Sequence, residues 1–241
     1  MYCKNWTIET YSDYINEPKH LVNPVRDLVM FDNPILEAGS KTPWWMIPIA
    51  YLPFEIFCVM NCLGSAMQTV QWISFGLFFW TFSEYFLHRF VFHGEEYWMP
   101  YVLQNNFMYA FHFNIHGIHH AFPMDKYRLV FPPVVGHMIL YPLFYKPITN
   151  NFEANTAYPM LLGIVIGYQL YDLMHYFFHH ADHREGSYMK KMKTYHMQHH
   201  YKYGTIGFGV SNKLWDNIFA TEIKAGGNKS NQDAVIANSK Y

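Results

Sequence analysis

Four long apolar stretches, at about 43–63, 68–87, 131–147 and 158–179, constrain this chain more than any other feature. Each approaches the roughly 20 residues that cross about 30 Å of hydrocarbon at 1.5 Å per residue. The simplest architecture is all-α, with about four transmembrane helices paired as two hairpins. Core helices of a soluble protein are the alternative, and charge placement argues against it. If the stretches span, residues 1–42, 88–130 and 180–241 share one side and carry four, three and nine lysines and arginines, whereas the other side carries only Lys146. That bias points to a multi-pass protein with both termini cytosolic. The return loops, about 61–67 and 148–157, are short enough for antiparallel hairpins. Pro48, Pro53 and Pro142 predict kinks. Glu55, late in the first stretch, is expected near an interface rather than in a catalytic role.

Composition narrows the function. With 51% hydrophobic, 20% aromatic and 15% charged residues, neither a disordered chain nor a charged coiled coil is expected. Seventeen basic against eighteen acidic residues give a net charge of -1, so no bulk attraction for nucleic acid exists. Cys3, Cys58 and Cys62 follow no zinc spacing and read as thiols in a reducing compartment. No apolar run follows Met1–Trp6, so no cleaved leader is expected. Three regions result: a cytosolic lead-in over 1–42, a membrane-embedded unit over 43–222 and a flexible Gly-, Asn-, Ser- and Lys-rich tail over 223–241.

Histidine is the anomaly, with fifteen residues, fourteen of them between His88 and His200. Ten fall into four clusters: His88 with His93, His116 with His119 and His120, His175 with His179, and His196 with His199 and His200. Residues three and four apart share a helix face, so three clusters aim two or three imidazoles at one point. His88 and His93, five apart, share no ideal face and predict a helix end or irregular turn between them. Two clusters begin where apolar stretches end, so the site is expected to straddle the membrane surface.

Ten imidazoles exceed the needs of one ion, and a structural zinc site usually includes thiolates. A pair of metals uses them economically. Imidazole suits zinc, copper, iron and nickel alike, so ligand type does not name the metal. Redox chemistry with O2 on an acyl or sterol chain fits a site beside lipid, with zinc hydrolysis as the main alternative. Ligating imidazoles need acceptors for their other N–H. Glu84, one turn before His88, and Asp172, three residues before His175, are candidates. His112, His180 and His183 are further nearby imidazoles, whereas His137 and His20 lack cluster spacing and read as structural.

The match extends beyond histidine. His116-Gly117-Ile118-His119-His120, Pro123-Met124-Asp125, Arg128 to Pro133, Tyr171-Asp172, Gly186-Ser187-Tyr188, Gly207 to Ser211 and Leu214-Trp215-Asp216 resemble the fatty acid hydroxylase/sterol desaturase superfamily of membrane di-metal oxygenases. The resemblance covers about residues 40–222 and is nearer the fatty acid 2-hydroxylases than the sterol branches. It implies four transmembrane helices under a cytosolic catalytic cap, an endoplasmic reticulum location and stereospecific 2-hydroxylation of sphingolipid acyl chains. It also implies two iron ions, or zinc in a purified sample, held by the same ten histidines, with O2 as oxidant. Many such proteins carry an N-terminal cytochrome b5 domain. Residues 1–42 are too short for one, so a separate cytochrome b5 or reductase is the expected electron donor. The spacing from His93 to His116 is longer than usual in that family, and Tyr101 to Phe111 is expected to form an extra helical segment.

Trp80, Phe82, Tyr85 and Phe86 are candidates to line a lipid entrance, and Tyr195 and Tyr203 to touch the lipid head group. Sterol methyl oxidation or desaturation on the same metal core is the alternative activity. A non-catalytic metal-binding membrane subunit is the alternative of another class.

Overall fold

The computed structural model describes residues 6–20, 28–102 and 104–224, and all regular structure in them is helical. Cys3 and the expected tail beyond Lys224 lie outside the described residues. The chain begins with α1 (Ile8–Ile15), α2 (Pro34–Gly39), α3 (Met46–Met60) and α4 (Ala66–Phe86). A π-helical turn (Leu87–Phe92), α5 (Gly94–Tyr97), a 3-10 turn (Met99–Tyr101), α6 (Asn106–His112), a second π turn (Phe113–Gly117) and α7 (Ile118–Ala121) follow. Next come α8 (Pro133–Leu140), a third π turn (Tyr141–Tyr145) and α9 (Lys146–Asn151). The last helices are α10 (Ala154–His180), α11 (Tyr188–Tyr201) and α12 (Leu214–Ile218).

Caps explain several starts. The Ser65 hydroxyl accepts from Gln68 N–H at the head of α4, and the Ser187 hydroxyl accepts from Lys190 N–H at the head of α11. The second and fourth apolar stretches become single long helices, α4 and α10. The third is interrupted by the π turn at Tyr141–Tyr145, where Pro142 removes a backbone donor. The expected 148–157 return loop shrinks to Phe152 and Glu153, because α9 runs to Asn151 and α10 starts at Ala154. Within the 101–111 segment, the helix is α6. Among the described residues, no helix is long and apolar enough to cross a membrane.

The principal packing is α4 against α10. A Cβ on Gly76 would lie 2.2 Å from the Met160 carbonyl oxygen, and one on Gly163 would lie 2.1 Å from that of Ile73. The two backbones are therefore nearly in contact, and only glycine fits at the crossing. Around it Trp80, Phe144, Ile148, Leu161, Ile164, Tyr171 and Phe178 form the main core. A second core joins α1 to the α6–α7 region through Tyr11, Ile15, Tyr109, Phe113 and Ile118. The start of the chain thus packs directly behind a histidine-bearing segment. Phe54, Leu140 and Tyr168 link the main core to Ile47, Tyr51, Val130 and Val165.

Candidate metal centre

The π turn after α4 solves the spacing of its histidines. An α-helix would splay residues five apart, but here His93 N–H donates to the His88 carbonyl over 3.1 Å and the rings come within 5.1 Å. The expected irregular turn is this π turn. The second one precedes α7 and helps present His116, His119 and His120 together. His175 and His179 lie one turn apart at the end of α10, and α11 contributes His196, His199 and His200.

All ten imidazoles are buried. They gather as two adjoining groups: His119, His175, His179, His196 and His200, and His88, His93, His116 and His120. Within each group the available ligand atoms lie within 4.8 Å of one another. His199 stands beside the second group, its Nε2 3.0 Å from that of His93. The groups meet at His120 and His200, whose ring centres are 4.3 Å apart.

Hydrogen bonding fixes several tautomers. His88 Nδ1–H donates to the Phe208 carbonyl over 2.5 Å, and His199 Nδ1–H to that of Ile206 over 2.8 Å. His93 Nδ1–H donates to Glu95 Oε1 over 3.0 Å. With Nδ1 engaged in this way, each of these rings turns its Nε2 toward the other histidines. The His93 and His199 Nε2 atoms face each other, an arrangement that a shared cation would satisfy. Buried Nε2 atoms of His88, His116, His119 and His175 have no hydrogen-bond partner among the described residues, and the Nε2 atoms of His179 and His200 each lie 3.0 Å from that of His196. Native interiors rarely leave polar atoms unpaired. Burial first, and then the neighbouring imidazoles, push His88, His116, His119, His120, His196 and His200 well below the ordinary histidine range, and His199 falls to about 3. Neutral, convergent and unpaired nitrogens are the donor set that one or two transition metals require.

The carboxylates differ from expectation. Asp172 accepts from Phe131 N–H at 3.3 Å and from the Tyr168 hydroxyl at 3.1 Å, so it anchors the segment after Val130 instead of an imidazole. Glu84 accepts from the N–H groups of Val210 and Ser211 at 2.8 and 2.6 Å, not from His88. His112 does stand behind the site. Its Nε2–H donates to the Phe92 carbonyl over 2.7 Å, and its Nδ1 accepts from the Tyr11 hydroxyl over 2.7 Å.

The carboxylate that touches a clustered ring is Glu95, and sequence reasoning missed it. A position two residues beyond His93 shares no helix face with it, but the break in helix after the π turn folds Glu95 back. Burial opposes its charge, yet His93 and His112 hold the carboxyl below the usual range. Asp216, which the sequence offers only as part of the Leu214-Trp215-Asp216 motif, has a bonding role of its own. It accepts from Phe208 N–H at 2.9 Å and Gly209 N–H at 2.8 Å, while burial pushes it up to about 6. Asp216 and Glu84 together clamp residues 208–211, next to the carbonyls that orient His88 and His199. Gly207, at φ 80°, provides the left-handed turn in that segment.

A cavity of about 790 Å³ is lined by Ile35, Leu36, Phe111, Leu140 and Phe144 and also by His116, His119 and His175. Its wall is mainly apolar, with Tyr171 and Asp172 beside the histidines. Of the expected entrance aromatics, Trp80 lines it. Phe82 packs on Trp215 at 4.9 Å, the Tyr85 ring stacks on Phe219 and Phe86 neighbours Phe90. Glu55 accepts from Gln169 Nε2 at 2.7 Å, His137 stacks on Tyr51 and His20 on Tyr201. His183 Nε2–H donates to the Phe177 carbonyl, and half-buried His180 packs on Tyr176.

Tyr203 packs against the main core. Tyr195 is buried, and its hydroxyl accepts from Ile223 N–H at 3.3 Å, which removes it from any head-group role. Tyr195→Phe should cost about 1 kcal/mol of stability, read by thermal unfolding, with product identity unchanged.

Residues 73–221 match the family model described as Fatty acid hydroxylase. The chain is 39% identical over 233 residues to the ceramide very long chain fatty acid hydroxylase SCS7 of Saccharomyces cerevisiae, covering 96% of this chain and 56% of that protein. It is 33% identical to the fatty acid 2-hydroxylase of Mus musculus, covering 89% of this chain and 60% of that one. Against the dihydroceramide fatty acyl 2-hydroxylase FAH1 of Arabidopsis thaliana the identity is 34%, over 88% of this chain and 86% of the other. The solved structure of full-length scs7p, in which only the hydroxylase domain is visible, matches with a TM-score of 0.85 at 35% identity, over 93% of this chain and 82% of that one.

Proposed function

Because this chain belongs to the fatty acid hydroxylase family, we propose that it hydroxylates C2 of fatty acyl chains, in ceramide or as free fatty acid, using O2 and two electrons. The chain spans a little over half the length of the yeast and mouse relatives, and their names motivate the substrate class. The observation that carries the reading is an apolar cavity whose wall includes histidines of both groups.

His88, His93, His116 and His120, with His199 beside them, would hold one ion, and His119, His175, His179, His196 and His200 the other. Two irons bound there would supply the activation of O2 and the oxidation of an unactivated C–H bond. The protein's own part is placement. Leu129, Val130, Leu140 and Phe144 enclose an extended acyl chain and exclude water. C2 adjoins a polar carbonyl, so a lipid reacting there must seat that carbonyl beside the histidines. The hydroxyl of Tyr171, next to His175, is the polar wall group suited to donate to it.

Membrane embedding belongs to the same proposal, with α3, α4, the α8–α9 segment and α10 together forming the membrane-inserted part under the histidine-bearing cap, although no single helix among the described residues is long and apolar enough to cross. It is supported by large apolar side chains exposed along α3, α4 and the α8–α9 rod, including Ile49, Leu52, Ile56, Val70, Phe78, Val134, Met138 and Leu143. A multi-pass endoplasmic reticulum location with both termini cytosolic, and a cytochrome b5-type donor, complete it.

Lipid analysis of cells lacking the chain checks the chemistry. 2-Hydroxylated sphingolipids should fall and return on re-expression; unchanged levels with altered sterols would favour a sterol oxidase.

A further inference from the structure

The two groups of imidazoles are unequally supported from behind. In the group of His88, His93, His116 and His120, with His199 adjoining, three rings are locked through Nδ1–H to fixed acceptors: the carbonyls of Phe208 and Ile206 and the carboxylate of Glu95. Those acceptors are themselves fixed. Asp216 and Glu84 grip the 208–211 segment. Glu95 is wedged between His93 at 3.0 Å and His112 Nε2 at 3.1 Å, and His112 is pinned by Phe92 and Tyr11. Hydrogen bonds thus tie α1 to His112 and Glu95 to His93, and the two pairs are in contact where His112 Nε2 approaches Glu95 Oε2 to 3.1 Å. The Glu95 side chain is only 1% exposed, and its carboxylate lies one ring away from where a cation would sit. In the five-histidine group, by contrast, the Nδ1 atoms of His179, His196 and His200 are buried without a partner among the described residues; in the other group His120 is the ring in that condition.

We propose that the two ion positions are chemically unequal, with Glu95 as the positioning residue that makes the His88/His93/His116/His120 position the tight one and leaves the five-histidine position exchangeable. The physical reasons are two. Oriented rings lose less freedom when they ligate, and a buried carboxylate behind an imidazole raises its basicity and offsets the charge of a dication. The inference rests on the metal reading above.

The test is stepwise metal removal from the full chain in detergent, loaded with zinc, with ions per chain counted at equilibrium across a graded series of chelator strengths. The wild type should release its two ions in two separate steps. Glu95→Gln should move the tighter step by about 10- to 100-fold toward the weaker one and leave the weaker step in place. A change that merely loosened the fold would shift both steps. Asp216→Asn, which frees the Phe208 segment behind His88, should shift the same step by less, and supplies the answer if Glu95→Gln does not fold. Release of both ions in a single step, or a Glu95→Gln shift of both steps or neither, overturns the inequality while leaving the metal reading intact. Absence of stoichiometric metal overturns both.

Discussion

His119→Ala should remove one ion per chain and lower 2-hydroxy product formation by more than about 100-fold, since changes even behind a ligand cost 10- to 100-fold in affinity or activity. The His119 ring lies 4.5 Å from those of His175 and His200 and 4.7 Å from that of His179, and it also faces the cavity. It therefore stands where ion and acyl chain would meet. Its Nε2 has no hydrogen-bond partner among the described residues, so truncation removes no bond at that atom. The metal-free variant should unfold close to the metal-free wild type, within about 1 kcal/mol. Metal analysis, product mass spectrometry and thermal unfolding on one preparation separate these effects. Product formation within a few-fold of wild type would remove His119 from the centre.

Gly163→Val should destabilise the protein by about 3 kcal/mol and deplete metal, although Gly163 touches no histidine. The added Cβ would meet the Ile73 carbonyl at 2.1 Å, and that oxygen belongs to a helical backbone that cannot swing aside. α4 and α10 must separate. His88 follows one helix and His175 and His179 end the other, so separation opens the gap between the two groups of rings. Gly39→Ala is the control, because a Cβ there meets nothing within 4 Å. Thermal unfolding in detergent and ions per chain provide the readout. A Gly163→Val protein as stable as Gly39→Ala would show that the crossing tolerates a wider spacing.

Part of the site was legible because its spacing is local. His116, His119 and His120, or His196, His199 and His200, share a face on any helix, whatever surrounds it. The histidines chosen by that rule are the ones that converge. The acceptors behind the rings were less legible for a related reason. Glu84 and Asp172 lie close to a histidine along their helices, whereas an acceptor must lie on the far side of the ring, which another element usually fills. For His88 and His199 that element is the 206–208 backbone, and no residue type advertises a carbonyl. Glu95 was missed because the π turn and the bend after it place the carboxylate, and a five-residue histidine spacing does not announce either.

The amino-acid order by itself determined a helical protein with long apolar stretches and histidines at their ends. Those properties follow from periodicity and side-chain chemistry within a few residues. The tertiary structure alone decided that the rings divide into five and four with His199 adjoining, which acceptor stands behind each, and that a lipid-sized cavity reaches them. These depend on how closely α4 and α10 cross at Gly76 and Gly163 and on where residues 206–216 return, and both are distances between segments remote in sequence.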